Sequence, residues 1–233
     1  MADKVCVVTG VGPGTGAALV RRFAAGGHRV AMVARSEERL SELARSIPGA
    51  RGYAADVGDA AAVRGAFERI RAELGPVDTL LYNAGSGVFA PFLDTTPDLF
   101  EAAWRVNALG LLLCAREVAP AMVEAGRGTI LVTGATASLR GGMNFAAFAP
   151  AKAAQRSLAQ SMARNLGPRG IHVGYVIVDG VIDIPITRAM LPDRPDDFFL
   201  APDAIADTFW QLAQQDRSAW TFELDVRPFG EKW

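Results

Sequence analysis

The chain has 233 residues, half of them hydrophobic and a fifth charged, which is enough for one large α/β domain or two small ones. Its 24 basic and 25 acidic side chains leave a net charge of −1, with no cationic surplus to hold nucleic acid or anionic lipid. The longest uncharged run, Val5–Val20, is too short for a bilayer and is broken by Gly and Pro, so no membrane partner is expected.

Strand-like apolar runs alternate with helix-length segments along the whole chain. The strands are read at 4–10, 28–34, 51–56, 77–85, 128–134, 171–178 and 220–226. The intervening helices are read as one ending near 24–27, then 36–46, 59–74, about 96–124, one from about 148 that ends by 167–170, and one near 202–214. The first six strands are near-continuous apolar runs separated by crossover-length helices, the pattern of a parallel sheet covered on both faces. No linker, repeat or low-complexity stretch divides the chain, so residues 1–233 are read as a single doubly wound domain. Ligands of such a domain sit outside the carboxyl ends of the strands. The start runs straight into a strand without a leader pattern. Cys6 and Cys114 lie in apolar runs and read as buried free thiols, consistent with a cytoplasmic setting.

The first strand ends in Thr9–Gly16, "TGVGPGTG". Such a turn needs glycine for positive φ and for close approach of backbone to pyrophosphate, and the following helix aims its N–H groups at the anion. Alone the spacing is a weak signal. Further motifs follow in order: Asp56-Val57 after the third strand, Asn83-Ala84-Gly85 after the fourth, Asn107 inside the long apolar helix, and Lys152 near the start of the next helix.

Together these motifs resemble the short-chain dehydrogenase/reductase family, and the resemblance covers essentially the whole chain. It implies a Rossmann-type doubly wound parallel sheet of about seven strands, a nicotinamide cofactor, a small-molecule substrate, and a homodimer or homotetramer formed through the two long helices and the last strand. Gly10, Gly14, Thr15 and Gly16 would then cradle the pyrophosphate. Asp56 and Val57 would flank the adenine, and Asn83, Ala84 and Gly85 would border the cofactor. The backbone of Ile182 would bind the carboxamide, and Asn107 would hold a proton-relay water. Lys152 is the lysine of the family's Y-x-x-x-K, the residue that binds the nicotinamide ribose. The second strand ends in Ala34-Arg35 instead of an acidic residue. A neutral end removes repulsion against a 2′-phosphate, and Arg35 can clamp that group, so NADP is expected in preference to NAD.

The chain departs from the family where the chemistry is done. The tyrosine position, four before Lys152, is Phe148, and the serine position thirteen before that is Ala135. No tyrosine lies between Tyr82 and Tyr175. Thr136 would serve as the serine only through a one-residue bulge. A lone Tyr-to-Phe replacement would explain Phe148 but not Ala135, so the pair reads as divergence. A positioned general acid contributes roughly 10²–10⁴-fold, or about 3–5 kcal/mol. A plain ketone reductase would suffer from that loss more than an imine or iminium reductase, whose electrophile is already protonated.

Three functions are therefore weighed: an NADP-dependent reductase of a small imine, iminium or activated carbonyl compound, a nucleotide-binding pseudoenzyme, and a redox-neutral enzyme such as a cyclase. The candidate catalytic group is Lys152, Asn107 and Phe148. Asp179 and Asp183 are candidate proton donors, although each reads more simply as a turn or loop residue. Arg140, Met143 and Asn144 precede the active-site helix and either meet substrate or face solvent. Residues 186–200 are read as a lid over the pocket. His28 and His172 open strands far from any ligand cluster, so no metal is expected.

Overall fold

The computed structural model describes residues 4–87 and 89–231. Strand β1 (Val5–Thr9) leads to α1 (Thr15–Ala25), β2 (Arg29–Ala34) to α2 (Glu37–Ser46), and β3 (Ala50–Ala54) to α3 (Ala60–Leu74). Strand β4 (Thr79–Tyr82) precedes a continuous helical run of α4 (Pro97–Trp104), a wide turn (Arg105–Leu109) and α5 (Gly110–Ala125). Then come β5 (Gly128–Ala135), α6 (Phe148–Leu166), β6 (Ile171–Val178), the short β7 (Val181–Ile182), α7 (Pro185–Met190), β8 (Phe199–Leu200), α8 (Pro202–Ala213) and β9 (Glu223–Val226).

Seven strands form one sheet in the order β3-β2-β1-β4-β5-β6-β9, with every pairing parallel. Alternation along each strand sends residues to opposite faces. Val5 and Val7 join the core beneath α3, α5 and α6, while Cys6 and Val8 join the core beneath α1, α2 and α8. Both cysteines are free and fully buried.

Local chemistry fixes the helix starts. Ser36 Oγ accepts the Arg39 N–H at 3.3 Å, and the Asp59 carboxylate accepts those of Ala61 and Ala62 at 2.8 and 3.1 Å, which satisfies donors at the first turns of α2 and α3. The run Pro97–Ala125 is long and apolar enough to cross a bilayer by length and composition. Here it is an inner-layer helix, with Leu111, Cys114, Val118 and Met122 in the core.

The sheet order reverses between β1 and β4. That reversal opens a crevice at the carboxyl ends of these two strands, where the glycine loop and the Asn83–Gly85 segment lie. The two-residue pair β7–β8 and helix α7 have no sequence signature, because elements this short carry no readable period.

The close fit of β5 to β6 gives a stability prediction. A Cβ on Gly134 would sit 2.2 Å from Cε1 of the buried Tyr175 ring. Gly134→Ala is expected to cost about 1–3 kcal/mol through overpacking, seen as a lower urea midpoint at unchanged m-value.

Candidate active site

The crevice is a cleft of about 830 Å³ bordered by the Gly10–Gly12 loop, Arg35, Asp56, Val57 and Ala84–Gly87. Its floor depends on glycine. Gly10 has φ +70°, and a Cβ there would lie 2.4 Å from the Ala84 Cα. A Cβ on Gly16 would lie 2.5 Å from the Gly10 carbonyl oxygen. Both obstacles are backbone, so neither can move aside. Gly12 faces open space, leaving room for a phosphate to approach the main chain at the N-terminus of α1. Thr15 Oγ1 and Ser86 Oγ are buried without a protein partner. Backbone room, a helix N-terminus and two unpartnered hydroxyls fit a dinucleotide.

The predicted cofactor residues divide into two groups. Gly10, Arg35, Asp56, Val57, Ala84 and Gly85 border the cleft directly. Asn83 is instead spent on the scaffold: its Nδ2 donates to the Gly10 carbonyl at 2.9 Å, and its Oδ1 accepts the Thr133 hydroxyl at 3.0 Å. It thereby ties the ends of β1, β4 and β5 together. Gly14 faces the segment between β7 and α7, where a Cβ would meet Ile184 Cγ2 at 2.5 Å and Ile182 Cγ2 at 3.8 Å. At the other end of the cleft Arg39 joins Arg35 beside the start of α2. Sequence reasoning missed Arg39, which lies in the first turn of α2.

The catalytic corner adjoins this cleft at Gly85. Lys152, only 4% exposed, lies in the second turn of α6. Its Nζ donates to the Thr133 carbonyl at 2.9 Å and to Gln155 Oε1 at 3.1 Å. Desolvation pushes its pKa down to about 7, because burial disfavours the charged form and no carboxylate offsets it. Gln155 Nε2 donates to the Asn107 carbonyl at 2.9 Å, and the Tyr175 hydroxyl donates to Gln155 Oε1 at 3.2 Å.

Asn107 sits in the wide turn, where the Gly110 N–H reaches back to Arg105, five residues away. Its Nδ2 donates to the Ala103 carbonyl at 2.8 Å and, at 3.4 Å, to that of Ser86, while its buried Oδ1 has no donor. A Cβ on Gly85 would lie 3.4 Å from that Oδ1 and 3.8 Å from Lys152 Nζ. The unpartnered acceptor and the ammonium thus border one gap. The Phe148 ring centroid is 6.0 Å from Nζ, and the Phe148, Phe145 and Phe89 rings pack together at 5.4–6.1 Å.

The hydroxyl and carboxylates near the position at which the resemblance calls for a serine are already engaged. Ala135 ends β5. The Thr136 hydroxyl donates to the Asp179 carboxylate, so it does not replace the serine. Asp179 also pairs with Arg227 at 3.3 Å, and Asp183 is held by Arg188 through two bonds of 2.7 and 2.8 Å. Neither carboxylate is a free proton donor. Residues 186–200 run from α7 to β8, pinned where Arg188 also reaches Asp196 at 2.6 Å, and none of them borders the cleft. Met143 is 89% exposed, and Arg140 and Asn144 also face solvent. A second cavity of about 610 Å³, bordered by His28, Asp78, Arg127 and His172, lies at the amino ends of the strands, away from this chemistry.

Comparison with known proteins gives the same assignment as the geometry. The family model described as short chain dehydrogenase matches residues 4–194. L-xylulose reductase from Bos taurus is 31% identical over 231 residues, covering 95% of this chain and 93% of that protein. The crystal structure of a short-chain dehydrogenase from Rhodopseudomonas palustris is 37% identical with a TM-score of 0.83, covering 98% of this chain and 100% of its own. A metagenomic short-chain oxidoreductase in complex with NADP is 29% identical, also with a TM-score of 0.83, covering 98% of each chain. The glycine cradle at the strand-order reversal, the buried lysine beside it and these matches place the chain in one family: it belongs to the short-chain dehydrogenases.

Proposed function

We propose that the chain is an NADP-dependent oxidoreductase that reduces a small imine, iminium or activated carbonyl compound without a phenolic acid. One observation carries this reading. Phe148 stands where the resemblance calls for the acid, while Lys152, Asn107 and the nucleotide cradle remain in register beside it. A bound reduced nicotinamide supplies hydride. Lys152 holds the ribose beside it. Phe148, Phe145 and Phe89 form an apolar wall against which the substrate packs, and a cation is favoured over such aromatic faces. A ketone turned over here lacks the roughly 10²–10⁴-fold help of a positioned acid. A C=N⁺ group carries its proton already.

Several features support NADP: the neutral Ala34 at the end of β2, Arg35 and Arg39 at the rim of the cleft, and the NADP complex of a structural relative. The apolar strip of Leu112, Ala115, Ala119, Met162 and Leu166 between α5 and α6 suits contact with a second copy, so a cytoplasmic homodimer or homotetramer belongs to the same proposal.

Titration with NADPH and NADH, read by energy transfer from the tryptophans, tests the cofactor. NADPH is expected to bind at least about tenfold tighter, a gap of about 1.4 kcal/mol, and Arg35→Ala is expected to weaken NADPH without changing NADH. Equal affinities would remove NADP from the proposal, and no binding of either at millimolar concentration would leave a binding scaffold in place of an oxidoreductase. In turnover assays cyclic imines are expected to oxidise NADPH faster than the matching ketones. A broad panel with no active imine or carbonyl would sink the reductase reading.

Lys152 also predicts a pH dependence. Below about 7 the lysine is protonated both folded and unfolded, and the full cost of burying its charge is present. Between about 7 and the ordinary 10.5 the unfolded chain binds the extra proton, so this lysine's contribution to stability becomes more favourable as pH rises. Urea unfolding across that window should show the native chain gaining about 2–4 kcal/mol on Lys152→Met. A constant difference would mean that Lys152 titrates normally.

A further inference from the structure

Lys152 has three hydrogens to donate. Two go to the Thr133 carbonyl and Gln155 Oε1, both oxygens of neutral amides. Such groups hold an N–H in place but do not carry its proton onward. Gln155 is completely buried, and its polarity is fixed by its partners. Turning the amide over would set its NH₂ against an ammonium and its oxygen against the Asn107 carbonyl, a double mismatch. In the observed orientation Oε1 accepts from both Lys152 and Tyr175, and Nε2 donates to Asn107. The buried phenol of Tyr175 and the buried ammonium of Lys152 therefore share an acceptor and do not bond to each other. The lysine's third hydrogen is left for the gap at Gly85, where the unpartnered Asn107 Oδ1 lies.

We propose that Gln155 is a positioning residue that fixes the Lys152 ammonium as a static donor and seals its inner side, so that Lys152 exchanges protons with solvent only through the cleft. The remaining titratable groups packed around this corner are Tyr175 from β6, Tyr82 from β4, whose hydroxyl is given to the Val106 carbonyl, and the Arg156–Glu223 pair between α6 and β9. None of them touches Nζ. Gln155 thus stands where a water would otherwise join three polar groups: Nζ, the Tyr175 hydroxyl and the Asn107 carbonyl. Applied to the proposed reduction, and resting on that reading in this respect alone, the seal leaves the interior without a proton supply and favours acceptors that are already cationic.

The chain has three lysines, Lys4, Lys152 and Lys232, so lysine labelled with ¹³C and ¹⁵N gives three side-chain signals to resolve by NMR, with no nucleotide added. The intact chain should show a Lys152 midpoint near 7 and slow exchange of the Nζ hydrogens. Gln155→Ala opens a polar space able to hold water, and exchange should quicken at least about tenfold. Gln155→Met fills that space but removes an acceptor from the cation, so the midpoint should fall while exchange stays slow. Gln155→Glu puts a carboxylate beside Nζ, so the midpoint should rise. The amide spectrum of each variant reports its folding, and the near-isosteric Glu variant alone decides the positioning role. Unchanged exchange in the Ala variant would remove the seal, and a midpoint indifferent to Glu and Met would remove the positioning. A chain that bound no nucleotide would still give either answer, so this result is separate from the fate of the oxidoreductase reading.

Discussion

A positive charge buried between β5 and α6 is the constraint around which the site is arranged. An isolated ammonium in a low-dielectric interior is expensive, and no carboxylate comes near to pair with this one. The protein surrounds it with dipoles instead. The carbonyl of Thr133, near the end of β5, takes one hydrogen and the amide of Gln155 takes another. That amide must itself be held, and the carbonyl that holds it belongs to Asn107. The wide turn at Arg105–Leu109, where the helical ladder stretches to a five-residue reach, is thus coupled to the lysine through a single side chain. Widened turns of this kind mark functional places in helices, and here the mechanical link is visible.

The position at which the resemblance calls for a phenol is not a hole. Phe148 fills the position with hydrocarbon and packs against Phe89 and Phe145. Tyr175, the nearby phenol, lies against Gln155 and the Lys152 carbonyl, at 3.2 and 3.4 Å from its hydroxyl, and burial pushes its pKa up.

Much of the fold is legible in the sequence because its signals are local. Strands buried on both faces read as apolar runs, and the run at 171–178 has the limits of β6, Ile171–Val178. The caps Ser36 and Asp59 and the glycine loop carry their geometry in their own residue types. Lys152 is legible through its spacing from the other motifs. Gln155 is not, although it lies three residues from Lys152 on the same helical face, because its partners come from β6 and from a turn nearly fifty residues away. The roles of Asn83 and Asp179 are hidden for the same reason. Each residue type suits a loop, and only the tertiary arrangement shows the carbonyl, hydroxyl or guanidinium that engages it. The idea that Asp179 or Asp183 supplies protons fails on such contacts, with Arg227 and Arg188 respectively.

The departures from the family pattern share one direction. Phe148 and Ala135 put hydrocarbon where the resemblance calls for hydroxyl-bearing side chains. Three of the hydroxyls that remain nearby are spent on protein oxygens. Thr136 serves Asp179, Ser138 donates to the Ala135 carbonyl at 2.5 Å, and Thr187 donates to the carbonyls of Ile182 and Ile184 at 2.6 and 2.9 Å. What this corner offers an incoming molecule is hydrocarbon, one ammonium, one unpartnered amide oxygen and the unpartnered Ser86 hydroxyl. The nucleotide end shows no such drift, because its glycines are held by backbone contacts that no side chain can relieve. Low local polarity strengthens every charge–charge and charge–dipole interaction that remains. In so apolar a corner the Lys152 ammonium and the Asn107 amide oxygen are the strongest polar features.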